Sequence, residues 1–456
     1  MKLRSSIAAS ISTLLLLPLL SSPASAQDQP WLADRQYTEG IGIRVGDYEL
    51  HPGVAAELGY DSNFFRRAGS EDPVGSLRLR LTPSFSVASL SPQRRQGAPS
   101  ESPPDFDFRA GIAATYNEFI PVSGPDSGQD VMSEQRNIGG LLDLRLGIMP
   151  QRPWSGTIDA TIGRTIAPSD QGFTEASFNR VNAGAGGEIV WTPGGGLLDW
   201  RLGYRFGGTI FESGDFSELT NLVHTFSTRG RWRFLPRTAA IYDASFGFLT
   251  YPDGDKSGHP MQARLGVNGL LTQSLALTAL VGWGASFYTS PAGGSDFDSV
   301  IGQLEMKYYL TPNPSSDPAA TGLLLSYVSA GFLRDYQDSL IGTYFERDRG
   351  YGRFSYVFGG RFILDIEGGV GAVVYPDIPS NGSFVAEPAW TDLRVDATAF
   401  GEYRIRDSIG INATVRYNAN ISQTSLDLVG TSPSQVGSNS LQWQQFEVYL
   451  GARWFM

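Results

Sequence analysis

Three histidines, no cysteine and a run of arginines at alternating positions set the chemistry open to this 456-residue chain. The absence of cysteine excludes a lipoprotein anchor, disulfides and thiolate metal sites. No H-E-x-x-H, G-x-x-x-x-G-K-[ST] or G-x-S-x-G motif occurs, so zincin, P-loop and hydrolase-elbow chemistry have no carrier. His224 invites the reading of a surface lipid hydrolase. A nucleophile and its base must sit within hydrogen-bond reach, and the residues sharing its face, Ile210, Leu222, Phe226, Phe246 and Phe248, include no serine. Asp253-Gly254-Asp255-Lys256-Ser257-Gly258 opens like a calcium loop. Its twelfth position is Arg264, where a bidentate glutamate is required, so it reads as an acidic hairpin tip. The expectation is a protein without catalytic residues, metal or cofactor.

The arginines need a scaffold, and the sequence supplies one. Leu77, Leu79, Leu81, Phe85 and Val87 alternate with Arg78, Arg80, Thr82, Ser84 and Ser86. Leu198, Trp200, Leu202, Tyr204 and Phe206 alternate with Asp199, Arg201, Gly203 and Arg205, and the same rhythm runs from Ile409 to Tyr417. A period of two sends the two sets to opposite faces of a sheet. About 18 such segments, separated alternately by tight turns and long loops, predict an all-β fold: a closed antiparallel transmembrane β-barrel with a water-filled lumen. On that frame Arg201, Arg205, Arg229, Arg231, Arg233, Arg361, Arg404 and Arg406 point inward toward the periplasmic ends. Acidic neighbours include Asp365 and Glu367. They predict either a lumen that favours anions or hydroxyl-rich polymers, or a wall of mutually paired charges. Glu118–Gln135 and Ser422–Asn439 are the two long loops able to bend inward.

The outward rows end in aromatics. Trp154, Trp191, Trp200, Trp232, Tyr403 and Trp454 fall near the periplasmic turns, as an interfacial girdle requires. The last segment places Phe446, Val448, Leu450, Ala452, Trp454 and Met456 on one face. That resembles the C-terminal signal read by the barrel-assembly machinery, although Phe455 is penultimate where the terminal residue is usually Phe.

At the other end, Lys2 and Arg4, the apolar run Ile7–Leu20 and Ala24-Ser25-Ala26 form a secretory signal expected to be cleaved after residue 26. Residues 27–47 then form a short periplasmic arm and 48–456 the barrel. The predicted setting is the outer membrane of a Gram-negative cell, among its lipids. The net charge of −11 argues against nucleic acid as a partner.

Gly42-Ile43-Arg44-Val45-Gly46-Asp47-Tyr48-Glu49-Leu50-His51-Pro52, followed by Gly59-Tyr60-Asp61-Ser62-Asn63-Phe64, resembles the opening of the beta-barrel porin 2 family of outer-membrane proteins. Phe234-Leu235-Pro236-Arg237-Thr238-Ala239 and Leu333–Ser339 are similar to further stretches of that family. The resemblance implies a channel associated with exopolysaccharide export, with no catalytic residues to carry over. The arm is too short for a helical-repeat domain, so a separate periplasmic polysaccharide-export protein would deliver the polymer. A general or solute-specific diffusion porin is the alternative.

Overall fold

The computed structural model describes residues 42–90, 105–150, 152–166, 179–254, 256–289, 294–310, 326–379, 386–428 and 437–456. The expected signal segment, most of the arm and the greater part of the Pro/Ser-rich insert Ser89–Pro104 lie outside the described residues.

The chain forms β1 (Ile43–Val45), β2 (Tyr48–Asp61), β3 (Gly75–Ser89), β4 (Phe106–Ser123), β5 (Asn137–Ile148), β6 (Trp154–Ile166) and β7 (Asn179–Trp191). These are followed by β8 (Leu198–Phe211), β9 (Asn221–Leu235), β10 (Thr238–Thr250), β11 (Ser257–Leu270), β12 (Leu275–Thr289), β13 (Phe297–Tyr309) and β14 (Tyr327–Asp338). The last group is β15 (Tyr344–Phe358), β16 (Phe362–Tyr375), β17 (Trp390–Arg406), β18 (Ile409–Ile421), β19 (Ser425–Leu428), β20 (Gly437–Ser440) and β21 (Trp443–Phe455). One helix, α1 (Asp126–Glu134), lies in the β4–β5 loop.

Eighteen strands, β2 to β18 and β21, pair antiparallel with their sequence neighbours, and β21 returns to β2 from Gly53↔Phe455 to Asp61↔Glu447. Closure matters because hydrocarbon offers no hydrogen bonds, so an open edge would leave unpaired backbone in lipid. Strand parity follows the sequence rhythm. On β2, Val54, Leu58 and Tyr60 are exposed, while Ala55, Glu57 and Asp61 are buried. Among the described residues no helix is long and apolar enough to cross a membrane.

The short β1 extends the wall where β21 ends. It folds back on β2 (Val45↔Tyr48 to Ile43↔Leu50) through a Gly46-Asp47 turn with Gly46 at φ +62. The neighbouring His51 is buried, and its Nδ1 lies 2.9 Å from a carboxyl oxygen of Met456, tying the first barrel strand to the last residue.

One stretch of wall departs from the regular ladder. The β13–β14 pairing stops at Gly302↔Arg334, although β13 begins at Phe297 and β14 runs on to Asp338. Beyond Arg334 the β14–β15 hairpin leans into the barrel. The Tyr336 ring stacks on Phe297 with centroids 4.1 Å apart, and its hydroxyl lies 2.8 Å and 3.0 Å from the carbonyl oxygens of Ala285 and Met261. Gly284 makes this possible, since a Cβ there would press on the tyrosine ring.

Candidate functional site

The interior is a wall of charge whose two halves are built differently. On β7, β8 and β9 the inward rows bring together several of the expected residues. Arg201 pairs with Asp199 (2.7 Å) and Glu188 (3.2 Å), and Arg229 reaches the other oxygen of Glu188 at 2.5 Å. Arg205 pairs with Asp159 on β6. Arg231 and Arg233 continue the Arg229 row toward the periplasmic end of β9. These side chains are partly solvated, as groups facing a hydrated lumen should be.

Across the barrel, Glu367 on β16 binds Arg349 (3.1 Å) and Arg353 (2.6 Å) of β15, and Arg349 also holds Asp396 on β17. Asp365 lies on the same inward row of β16. Arg404 bonds Glu402 (3.1 Å), which also receives Arg453 at 2.6 Å. Arg361 and Arg406 differ from the inward placement expected of them. Arg361 sits exposed in the tight turn after β15. Arg406 is exposed at the end of β17, where the register slips between Arg404 and Arg406. Both sit at the rim: Arg361 closes the three-residue turn between β15 and β16, and the slip pairs Arg406 with Ile409 instead of continuing the Arg404 row.

Arg347, Arg349 and Arg353 were readable from the same period-two rule, as were Glu305 and Lys307 on β13. Their rows are less plain because the alternate positions on β15 carry Asp348, Gly350 and Gly352 in place of an unbroken apolar set. The acidic hairpin tip after β10 also has a role that its calcium-like spacing concealed. Its Lys256 ammonium pairs with Asp338 (2.6 Å) and donates to the carbonyl oxygens of Ser339 (2.8 Å) and Gly342 (3.0 Å). Burial draws its pKa below the ordinary lysine value, against the opposing pull of Asp338. Tyr251 donates its hydroxyl to the same carboxylate, and burial holds that phenol well above its usual range. Lys256 thus latches the turn between β14 and β15.

That turn is the hub of the external mouth. Ile341 is buried with Phe345, Val373, Tyr375, Ile378, Leu426 and Leu441, and Leu340 packs on Phe211 and Phe216 near the end of β8. Of the two loops either of which could bend inward, Ser422–Asn439 contributes Leu426 to this cluster. Glu118–Gln135 packs elsewhere: Met132 of α1 joins Phe64, Phe65, Val74 and Phe119. The β14–β15 turn itself was not foreseen. Its signal was Leu340-Ile341, an apolar pair in a turn otherwise polar.

The outer face is apolar and carries the aromatic girdle residues. Trp154 and Trp191 stack at 5.7 Å, Trp200 donates to Thr228 (3.1 Å), and Trp232, Tyr403 and Trp454 are exposed. Met456 closes the chain with its amide bonded to the Pro52 carbonyl at 3.1 Å. His224 shares this face, 2.8 Å from the Tyr204 hydroxyl and packed against Phe206.

A closed antiparallel barrel of 18 strands, apolar outside and charged within, is a multi-pass outer-membrane channel of the porin kind. No family model matches the chain, and no curated protein does. Among solved structures it is similar to OccK5 (OpdH) of Pseudomonas aeruginosa, at 11% identity over 89% of this chain and 98% of that one, with a TM-score of 0.40. It is also similar to the copper transporter OprC (10% identity, 91% and 81% covered, TM-score 0.44). A third is a bacterial polysaccharide outer membrane secretin (11% identity, 90% and 99% covered, TM-score 0.33). At these values the likeness is of barrel to barrel.

Proposed function

We propose that this barrel is a conduit by which a polysaccharide leaves the cell across the outer membrane, without chemistry of its own. The observation that carries the reading is the lumen wall. Paired arginines and carboxylates on β7–β9 and β15–β17 offer donors and acceptors in alternation, which suits a hydroxyl-rich chain better than a single small ion. The resemblance of the Gly42–Phe64 stretch to the beta-barrel porin 2 family supports the same reading. A separate periplasmic export protein would deliver the polymer, and the rim at β1 and the exposed Tyr48 is the surface it would meet. Deleting the gene should abolish surface polymer while synthesis continues inside the cell. Unchanged surface polymer would overturn the proposal.

A second reading, a diffusion porin for small solutes, is favoured by one observation: the latched β14–β15 turn packs on Phe211 and Phe216 of the β8–β9 side as well as on its own side of the mouth. Purified protein in planar bilayers separates the two. Steady conductance with rapid small-sugar flux, in a protein whose loss leaves surface polymer intact, favours the porin.

A further inference from the structure

The inner face of β13–β15 carries an arrangement that ion conduction does not explain. Tyr351 lies on the inward row of β15, opposite Gly331 of β14. A Cβ at Gly331 would overlap the Tyr351 ring, so the glycine is what lets the ring lie flat against the wall. The hydroxyl reaches across β14 to Glu305 of β13 at 2.9 Å, which pins the ring from its far end. One face is thus on the wall, and the rest of the ring turns to the lumen beside the Arg349 guanidinium, 5.4 Å from its centre. A second tyrosine, Tyr327, stands opposite Ser355, with the Lys307 ammonium 4.7 Å from its ring centre. Ser355 is four residues beyond Tyr351, or about 13 Å along the strand at ~3.3 Å per residue, a span that more than one sugar ring can bridge.

Between and beside the rings lie Lys307, Arg349 and Arg353 and the carboxylates Glu305, Glu367 and Asp396. These are three cations and three anions, already paired with one another, and Asp365, opposite Ser355 on β16, adds a fourth carboxylate. A patch within one charge of neutrality, its cations all paired, concentrates ions only weakly. It does offer fixed donors and acceptors next to flat apolar faces. A pyranose presents that combination, with a C–H face for the ring and hydroxyls that both donate and accept.

We infer that Tyr351 and Tyr327, with the charge pairs around them, form a saccharide-binding subsite on the lumen wall. The inference rests on the conduit reading and names the surface along which the chain moves. Tyr351 supplies the platform, Glu305 fixes its angle, and Arg349 and Arg353 bond the ring substituents.

The test is single-channel recording of the purified full-length protein, with maltohexaose as a neutral probe and an oligogalacturonate of equal length as an acidic one. The probes are added to both sides. Wild-type channels should show transient blockades by maltohexaose. Tyr351→Leu should shorten each blockade by about fivefold, the order of one lost aromatic contact, while Tyr351→Phe keeps most of it. Heat-modifiable gel mobility confirms that each variant is folded. Blockades of equal length in wild type and Y351L overturn the subsite and leave the conduit standing. Conductance without blockade by either probe in the wild type overturns the conduit reading, and the subsite with it.

Discussion

Two regions of the lumen wall contain arginines paired with carboxylates, and they do opposite things. At the seam where the last strand meets the first, Arg78 contacts Asp61 (3.4 Å), Glu447 (3.2 Å) and the Tyr449 hydroxyl (2.8 Å). Its side chain is 2% exposed and those of both carboxylates 0%. Phe119 and Phe64 lie 4.9 and 5.6 Å from its guanidinium, and Arg80 sits 3.9 Å from the Tyr449 ring. Across the barrel, Arg201, Arg229 and Glu188 form the same kind of pair with side chains 16–28% exposed. Chemistry alone does not separate the two. The cover does: the loop after β2 and helix α1 fold over the seam and exclude water from it. Buried pairs resist removal of one partner, because the other is left charged in a poor solvent, whereas solvated pairs lose little. The seam charges are therefore construction and the β7–β9 charges are lining.

The sharpest way to break this comparison is Arg78→Met. It removes the guanidinium shared by Asp61 and Glu447, leaving Glu447 with Arg416 at 3.9 Å, and should cost about 3–5 kcal/mol, the usual penalty for breaking a buried ion pair. Urea titration of refolding into detergent or liposomes, read by the heat-modifiable gel shift, measures it. A change below about 1 kcal/mol would mean that the seam is as wet as the opposite wall.

The latch is as exposed as the lining pairs, with side chains 17% and 29% exposed, but it is anchored to backbone as well. Lys256 bonds Asp338 and two backbone carbonyls across the mouth. Hydrogen bonds to charged groups are worth about 1.5–3 kcal/mol each, but a released hairpin regains entropy and water. Lys256→Met should leave global stability within about 1–2 kcal/mol of wild type while freeing the β14–β15 turn. The expected readout is a larger or flickering single-channel conductance. A conductance identical to wild type would show that the apolar cluster around Ile341 holds the turn unaided.

Much of this was legible in the sequence. Period-two alternation located all eighteen barrel strands, because lipid on one side and water on the other leave few alternatives for each position. Arg201, Arg205 and Arg229 followed from the same parity. Parity could not tell Arg78 from Arg229, since both sit on inward rows. The distinction depends on Phe64, Phe65 and Met132, which come from two loops whose inward packing no periodicity encodes. The bend of β14 was hidden for a related reason. Tyr336 and Arg334 occupy outward positions of an ordinary ladder, and only the early end of pairing at Gly302 turns Tyr336 onto Phe297.

The smallest expected effect on stability is also the most diagnostic of role. Glu188→Gln leaves Arg201 with Asp199 and frees Arg229 from its 2.5 Å contact, in a region that water reaches. Solvated pairs contribute about 0–1 kcal/mol, so the unfolding midpoint should scarcely move. The removed charge nevertheless faces the lumen, where low-dielectric walls focus the field. The reversal potential under a salt gradient should therefore shift toward anions. Glu447→Gln at the seam makes the same charge change behind a protein cover, and should do the reverse, destabilising the barrel with little shift in selectivity. The two variants form a crossed test. If Glu447→Gln altered selectivity and Glu188→Gln altered stability, the division into construction and lining would be inverted. If both altered both, burial would not be what distinguishes the two walls.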